Sequence, residues 1–291
     1  YQDLEFSIML DFSLFGYQFM QNALLAALLG GIACGLTGVF VVLLHMPFIG
    51  VCMAHAAFAG ALLGVWFNLD PLIGAFVLSL AAAAVIGPLA DRGELNPDTS
   101  IGIIFSVMVG AAFFLLGVMP LTKSGAFEFL WGNILTTTRS DLIILMLVTA
   151  IVVGLIVLFY KEIQATLFNR KMALAAGVPA TLVLYGILFL TGATVTATIR
   201  SIGGLLIFSL ILNPAAAAYQ LTYNMKRMFF LSALFGVLSG WTGLFLSYLF
   251  NAPSGALIVL TSAAIFLLSA AFSPKRRVKN SLSERDQVEK R

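Results

Sequence analysis

At 291 residues the chain has room for one or two domains, but 60% hydrophobic and only 10% charged residues exclude an ordinary soluble globule. A mean hydropathy of +1.03 points the same way. The net charge of +3 is too small to name a partner, and no nucleic-acid partner is expected.

Apolar stretches of roughly 18 or more residues recur along the chain, each long enough to cross a hydrocarbon core of about 30 Å. The expected fold class is therefore all-α, a polytopic transmembrane helix bundle of eight or nine spans. Residues 1–16 mix apolar and polar side chains without a basic n-region or a small-residue cleavage site, so they read as an extracytoplasmic segment and not as a signal peptide. Residues 17–273 form the membrane domain, with spans near 19–44, 48–67, 72–90, 101–119, 142–160, 181–199, 202–219, 228–250 and 254–272. Turn and charge signals separate them, among them His45-Met46-Pro47, Asn68-Leu69-Asp70-Pro71 and Asn251-Ala252-Pro253. Residues 274–291 form a charged tail. With nine spans and a cytoplasmic C-terminus, 13 of the 16 basic residues fall on the inner face, leaving Lys123, Arg139 and Arg200 outside. Seven of the 13 belong to the tail.

Cys34 and Cys52 both fall in apolar spans and define no disulfide framework. His55 is one of only two histidines and sits inside the apolar run Gly50 to Gly60. An imidazole in a membrane helix is costly, which makes His55 a functional candidate; the alternative is a packed histidine bonded to a helix carbonyl. Cys52, three residues earlier, shares its helical face and is a candidate ligand or simply a small buried hydrophobe. His45, at a span boundary, reads as interfacial. Asn213 precedes Pro214 within a span and either lines a path or bonds a neighbouring helix. Arg200 and Asn251 stand near the outer face, as gating groups, with Asn251 also a candidate for the translocation path, or as solvated edges; Glu128 and Asp141 flank an outer loop, where their charge would attract cations.

The inner connection 161–179 has helix-favouring composition, with Gly177 as a C-cap signal and Pro179 as a stop. It reads either as an interfacial helix on the membrane or as a short helix that docks into a cytoplasmic partner. Glycine pairs Gly31-Gly35, Gly60-Gly64 and Gly236-Gly240 have the small-xxx-small spacing of close helix packing. No phosphate-binding loop is present: the stretch Gly117 to Ser124 has Thr122 in place of the second glycine and follows a membrane helix. HExxH, GxSxG and an intramembrane aspartate pair are also missing. The chain is thus not expected to be an enzyme, and active transport would draw energy from a separate subunit or an ion gradient.

Four stretches taken in order resemble a known family. They are Phe48-Ile49-Gly50 with Ala54-His55-Ala56-Ala57 and Gly60; Leu130-Trp131-Gly132-Asn133-Ile134-Leu135-Thr136 through Asp141; Ala175-Ala176-Gly177-Val178-Pro179; and Ser201-Ile202-Gly203-Gly204 through Pro214-Ala215-Ala216-Ala217, backed by Pro253-Ser254-Gly255. Together they resemble the membrane permeases of ATP-binding-cassette importers for zinc, manganese and iron. The resemblance implies a second permease subunit (a homodimer or paired homologues), two cytoplasmic ATPases and an extracytoplasmic metal-binding protein. It implies that 161–179 is the coupling helix, with Ala175, Ala176, Gly177, Val178 and Pro179 at the ATPase contact, and that His55 belongs to a metal site on the path. The metal would be cargo, with no permanently bound cofactor. Many family members have an aspartate four residues before the histidine, where this chain has Val51, and one before the proline-serine-glycine turn, where it has Asn251. The remaining neighbours, Cys52, Met53 and Met46, are softer, which favours zinc over a dedicated manganese site. A metal chelate or cobalamin-like ligand is the alternative cargo, and a standalone secondary transporter the alternative class.

Overall fold

The computed structural model describes residues 17–92, 97–119 and 132–275. The N-terminal segment, Glu128, Leu130, Trp131 and most of the charged tail lie outside the described residues. Every regular element among the described residues is helical, as a hydrocarbon environment requires of a chain that must satisfy its own backbone hydrogen bonds.

Among the described residues eleven α-helices follow in order: α1 Gln18–Leu43, α2 Ile49–Trp66, α3 Pro71–Arg92, α4 Pro97–Val118, α5 Arg139–Leu158, α6 Tyr160–Phe168, α7 Arg170–Ala175, α8 Ala180–Ile202, α9 Gly204–Leu221, α10 Met225–Phe250 and α11 Ser254–Ala271. A short 3-10 turn, Ile134–Thr136, precedes α5. Eight of the helices are long and apolar enough to cross a membrane, and α9 contributes a shorter apolar segment, Leu206–Leu221. The eight or nine expected spans are therefore all present as helices.

Helix α1 runs through the centre and packs on α5, α8, α9 and α10, while α2 is enclosed by α3, α4, α8 and α9. The contact of α1 with α10 is made through glycine. A Cβ on Gly31 would lie 2.7 Å from the carbonyl carbon of Gly236, so the two backbones touch directly. The Ser232 hydroxyl donates to the Gly35 carbonyl at 2.6 Å, an interhelical bond worth about 0.6 kcal/mol on average in membranes. Gly60 of α2 meets Gly74 of α3 in the same backbone-to-backbone manner. The expected small-residue spacing thus closes helix pairs within one chain.

Between α8 and α9 the chain turns on a single residue, Gly203, whose φ of 94° only glycine adopts freely. The 161–179 connection differs from a single helix. It breaks at Asn169, which is extended (φ −158°, ψ 107°), and whose side chain accepts the Met172 N–H at 3.1 Å to cap α7. Asparagine competes with the helix for exactly this kind of local bond, so one helix becomes two. Helix α7 ends as its sequence indicates. Gly177 has φ 81°; its N–H donates to Leu174 O at 3.1 Å and the Val178 N–H donates to Ala173 O at 2.9 Å. That pair of bonds is a complete Schellman motif.

Candidate functional site

His55 lies in α2, half-buried, at the height of mid-helix residues of α4. Its Nδ1 is 3.0 Å from the Val51 carbonyl oxygen one turn earlier. A carbonyl can only accept, so Nδ1 carries a proton, and in the neutral ring Nε2 is then the nitrogen with the lone pair. The ring meets Phe105 of α4 edge-on, with centroids 5.0 Å apart and planes at 83°. These two contacts orient the imidazole and leave its Nε2 free of both, the kind of support by which a second contact positions a ligating histidine.

The other candidates are placed differently. Cys52 and Met53 are fully buried on the packed side of α2. Met53 Sδ lies 3.9 Å from the Ser79 hydroxyl of α3, which also donates to the Gly192 carbonyl of α8 at 3.2 Å. Met46 is buried as well. Asn213 Nδ2 donates to Ser262 Oγ at 2.9 Å, and that hydroxyl donates on to the Val259 carbonyl at 2.7 Å, so Asn213 bonds α9 to α11. Asn251 is exposed in the left-handed conformation (φ 50°) and ends α10 at the turn into α11. Cys52 and Met53 thus stand beside His55 along α2, while the Asn213 side chain bonds to α11 and Asn251 occupies the α10–α11 turn. No group of three or more His, Cys, Asp and Glu side chains suited to a metal occurs among the described residues.

At the end of the bundle where α8 stops and α5 starts, a polar clamp forms. Arg200 Nη1 donates to Asp141 Oδ1 at 2.9 Å. Asp141 Oδ2 accepts the Thr138 N–H at 3.0 Å and the Thr138 hydroxyl at 2.6 Å, completing a capping box at the start of α5. The Asn133 N–H donates to the Arg200 carbonyl at 3.3 Å, and Asn22 Nδ2 of α1 donates to Thr137 O at 3.1 Å. Three helices and the 132–138 segment are joined here. Sequence reading leaves Arg200 and Asp141 as separate edge charges; the Thr138-x-x-Asp141 spacing was the available signal for half of the arrangement.

At the opposite end of the helices, Ala175, Ala176, Gly177 and Pro179 are exposed and Val178 is half-buried. Phe168, Met172 and Leu174 beside them are exposed apolar side chains. Arg170 Nη2 donates to Thr181 Oγ1 at 3.1 Å, anchoring α7 to the first turn of α8. Lys275 Nζ lies 3.5 Å above the Tyr219 ring and 4.6 Å from that of Tyr223, and burial lowers its pKa.

A bundle of membrane-crossing helices around a half-buried imidazole, with an ordered helical element outside the spans, defines a multi-pass membrane protein. Residues 16–273 match the model of the ABC 3 transport family, and the chain belongs to that family. It is 32% identical over 265 residues to the "Manganese transport system membrane protein MntC" of Halalkalibacterium halodurans, covering 91% of each chain. It is 31% identical to a "Probable iron transport system membrane protein" of Haemophilus influenzae, covering 89% of this chain and 96% of the relative. Among solved structures it resembles "PsaBC from Streptococcus pneumoniae in complex with Fab", with a TM-score of 0.82, 35% identity, and coverage of 94% of this chain and 98% of the other.

Proposed function

We propose that this chain is the membrane permease subunit of an ATP-driven importer of a divalent first-row metal, with manganese the first cargo and iron the second. The observation that carries the reading is the half-buried His55 imidazole, whose Nδ1 is committed to the Val51 carbonyl and whose Nε2 is left as a ligand. The names of the relatives supply the class of metal. The softer neighbours that favoured zinc, Cys52, Met53 and Met46, are buried in packing contacts, and this supports an oxygen-and-imidazole route over a thiolate one. One protein ligand and bound water hold a cargo ion weakly enough to release it, as a transport site requires.

The end bearing α6 and α7 is cytoplasmic in this reading, supported by the excess of Lys and Arg there. Exposed Phe168, Met172 and Leu174 next to Ala175–Pro179 form the kind of apolar patch that marks a protein contact, and they receive a separate ATPase subunit. A second permease copy completes the path, and an extracytoplasmic binding protein delivers the ion. Asn213 serves as a tie between α9 and α11.

The test is ATP-dependent uptake of manganese, iron and zinc into proteoliposomes that hold the chain with its ATPase and binding protein. Manganese uptake above zinc supports the reading. Zinc uptake alone would return the assignment to zinc, and ATP turnover without uptake of any free metal would point to a chelate.

A further inference from the structure

Where α5 passes into α6, an apolar groove of about 330 Å³ lies against the first half of α8. Phe40, Leu155, Phe159, Leu182 and Leu190 line it. Gly186 lines it too, and a Cβ built there meets nothing within 4 Å, so the groove is open at that point. From Pro179 to Leu190 the groove follows α8 for about 16 Å, close to the thickness of one leaflet's hydrocarbon (about 15 Å).

The groove does not end blindly. Ile156 and Glu162 also line a neighbouring crevice, together with Lys161, Lys226, Tyr160 and Phe229. Lys226 is held there by the Tyr160 ring, with its Nζ 5.3 Å from the centroid. Lys161 comes three residues after the exposed apolar side chains Val157 and Leu158, so the crevice sits where an apolar helix surface gives way to charge. Glu162 subtracts one charge from the two lysines and leaves the mouth net positive.

We propose that this composite site binds an anionic phospholipid. One acyl chain lies along α8 in the groove, and the phosphodiester sits at Lys161 and Lys226. An apolar slot one leaflet long and a cationic mouth at its polar end match the two parts of such a lipid. A bound lipid braces α6 against the first turns of α8, and so holds the segment leading to Ala175–Pro179 in place. Placing the lipid in the cytoplasmic leaflet rests on the orientation proposed above; the site itself does not.

Chain-terminal spin-labelled phosphatidylglycerol and phosphatidylcholine, each added to phosphatidylcholine nanodiscs holding the full chain, test this by the motionally restricted fraction. Phosphatidylglycerol is expected to be the more strongly restricted. Lys161→Gln and Lys226→Gln each reduce that preference about fivefold, with phosphatidylcholine unchanged. Gly186→Leu, which fills open space in a helix that favours Leu over Gly, reduces the restricted signal of both lipids. Inorganic phosphate at millimolar concentration leaves the signals unchanged. Equal restriction of the two lipids, or a preference surviving the double lysine variant, would overturn the headgroup assignment. An undiminished signal in Gly186→Leu would overturn the acyl placement, and displacement by phosphate would make this an ion site instead.

Discussion

Arg200 in the last turn of α8 reaches Asp141 in the first turn of α5, with Nη1 2.9 Å from Oδ1. The two partners are not equivalent. The Asp141 side chain is 8% exposed and also closes the Thr138 capping box, while the Arg200 side chain is 43% exposed. Asp141→Ala removes a cap and leaves hydroxyl and N–H donors unpaired, so it is expected to lower stability by about 1–3 kcal/mol. Arg200→Ala removes a solvent-screened partner and is expected to cost below about 1 kcal/mol. Thermal unfolding of both variants in nanodiscs checks the order, and equal losses would mean that the ion pair, not the cap, dominates.

Gly31 and Gly236 bring α1 and α10 into backbone contact, whereas a Cβ on Gly154 of α5 meets nothing within 4 Å. Gly31→Ala should therefore destabilise by roughly 1–3 kcal/mol through overpacking. Gly154→Ala should be neutral or slightly stabilising. A chemical unfolding series in mild detergent distinguishes them.

Gly177 holds φ 81° at the end of α7. Gly177→Ala places a Cβ in the left-handed region at a cost of about 1–2 kcal/mol, while Gly177→Asn is better tolerated. If Ala175–Pro179 carries the ATPase contact, the Ala variant should weaken stimulation of ATP turnover by the permease, with Asn in between. Identical stimulation in all three proteins would detach this turn from coupling.

Val51 lies one helical turn before His55 and is half-buried. Val51→Asp places a carboxylate on the same face and supplies a hard oxygen ligand. The expected result is a larger ratio of manganese to zinc uptake than in wild type. A lower ratio would show that the valine belongs to the path's selectivity.

The spans were legible because apolar runs of membrane-crossing length leave few alternatives, and Gly177-Val178-Pro179 announces its own helix end. The break at Asn169 was not legible, since one asparagine in a helix-favouring stretch bends the chain only when its side chain finds the Met172 N–H. Nor could the sequence tell which side of α2 packs. The helix is apolar almost all round, so Cys52 and His55 share a face by spacing, yet Cys52 is sealed and His55 half-open. The partner of Asp141 is 59 residues away in α8 and only the packing of α5 on α8 brings them together.

The central claim, that cargo metal passes by way of the His55 Nε2, is tested most directly with His55→Asn. The Asn side chain can keep a hydrogen bond to the Val51 carbonyl but has no counterpart of Nε2. ATP-dependent manganese uptake into proteoliposomes should fall at least about tenfold, the loss seen when even outer-shell groups of metal sites are removed, with basal ATP turnover and thermal stability retained. Uptake at the wild-type rate would contradict the account and leave His55 as a packing residue against Phe105.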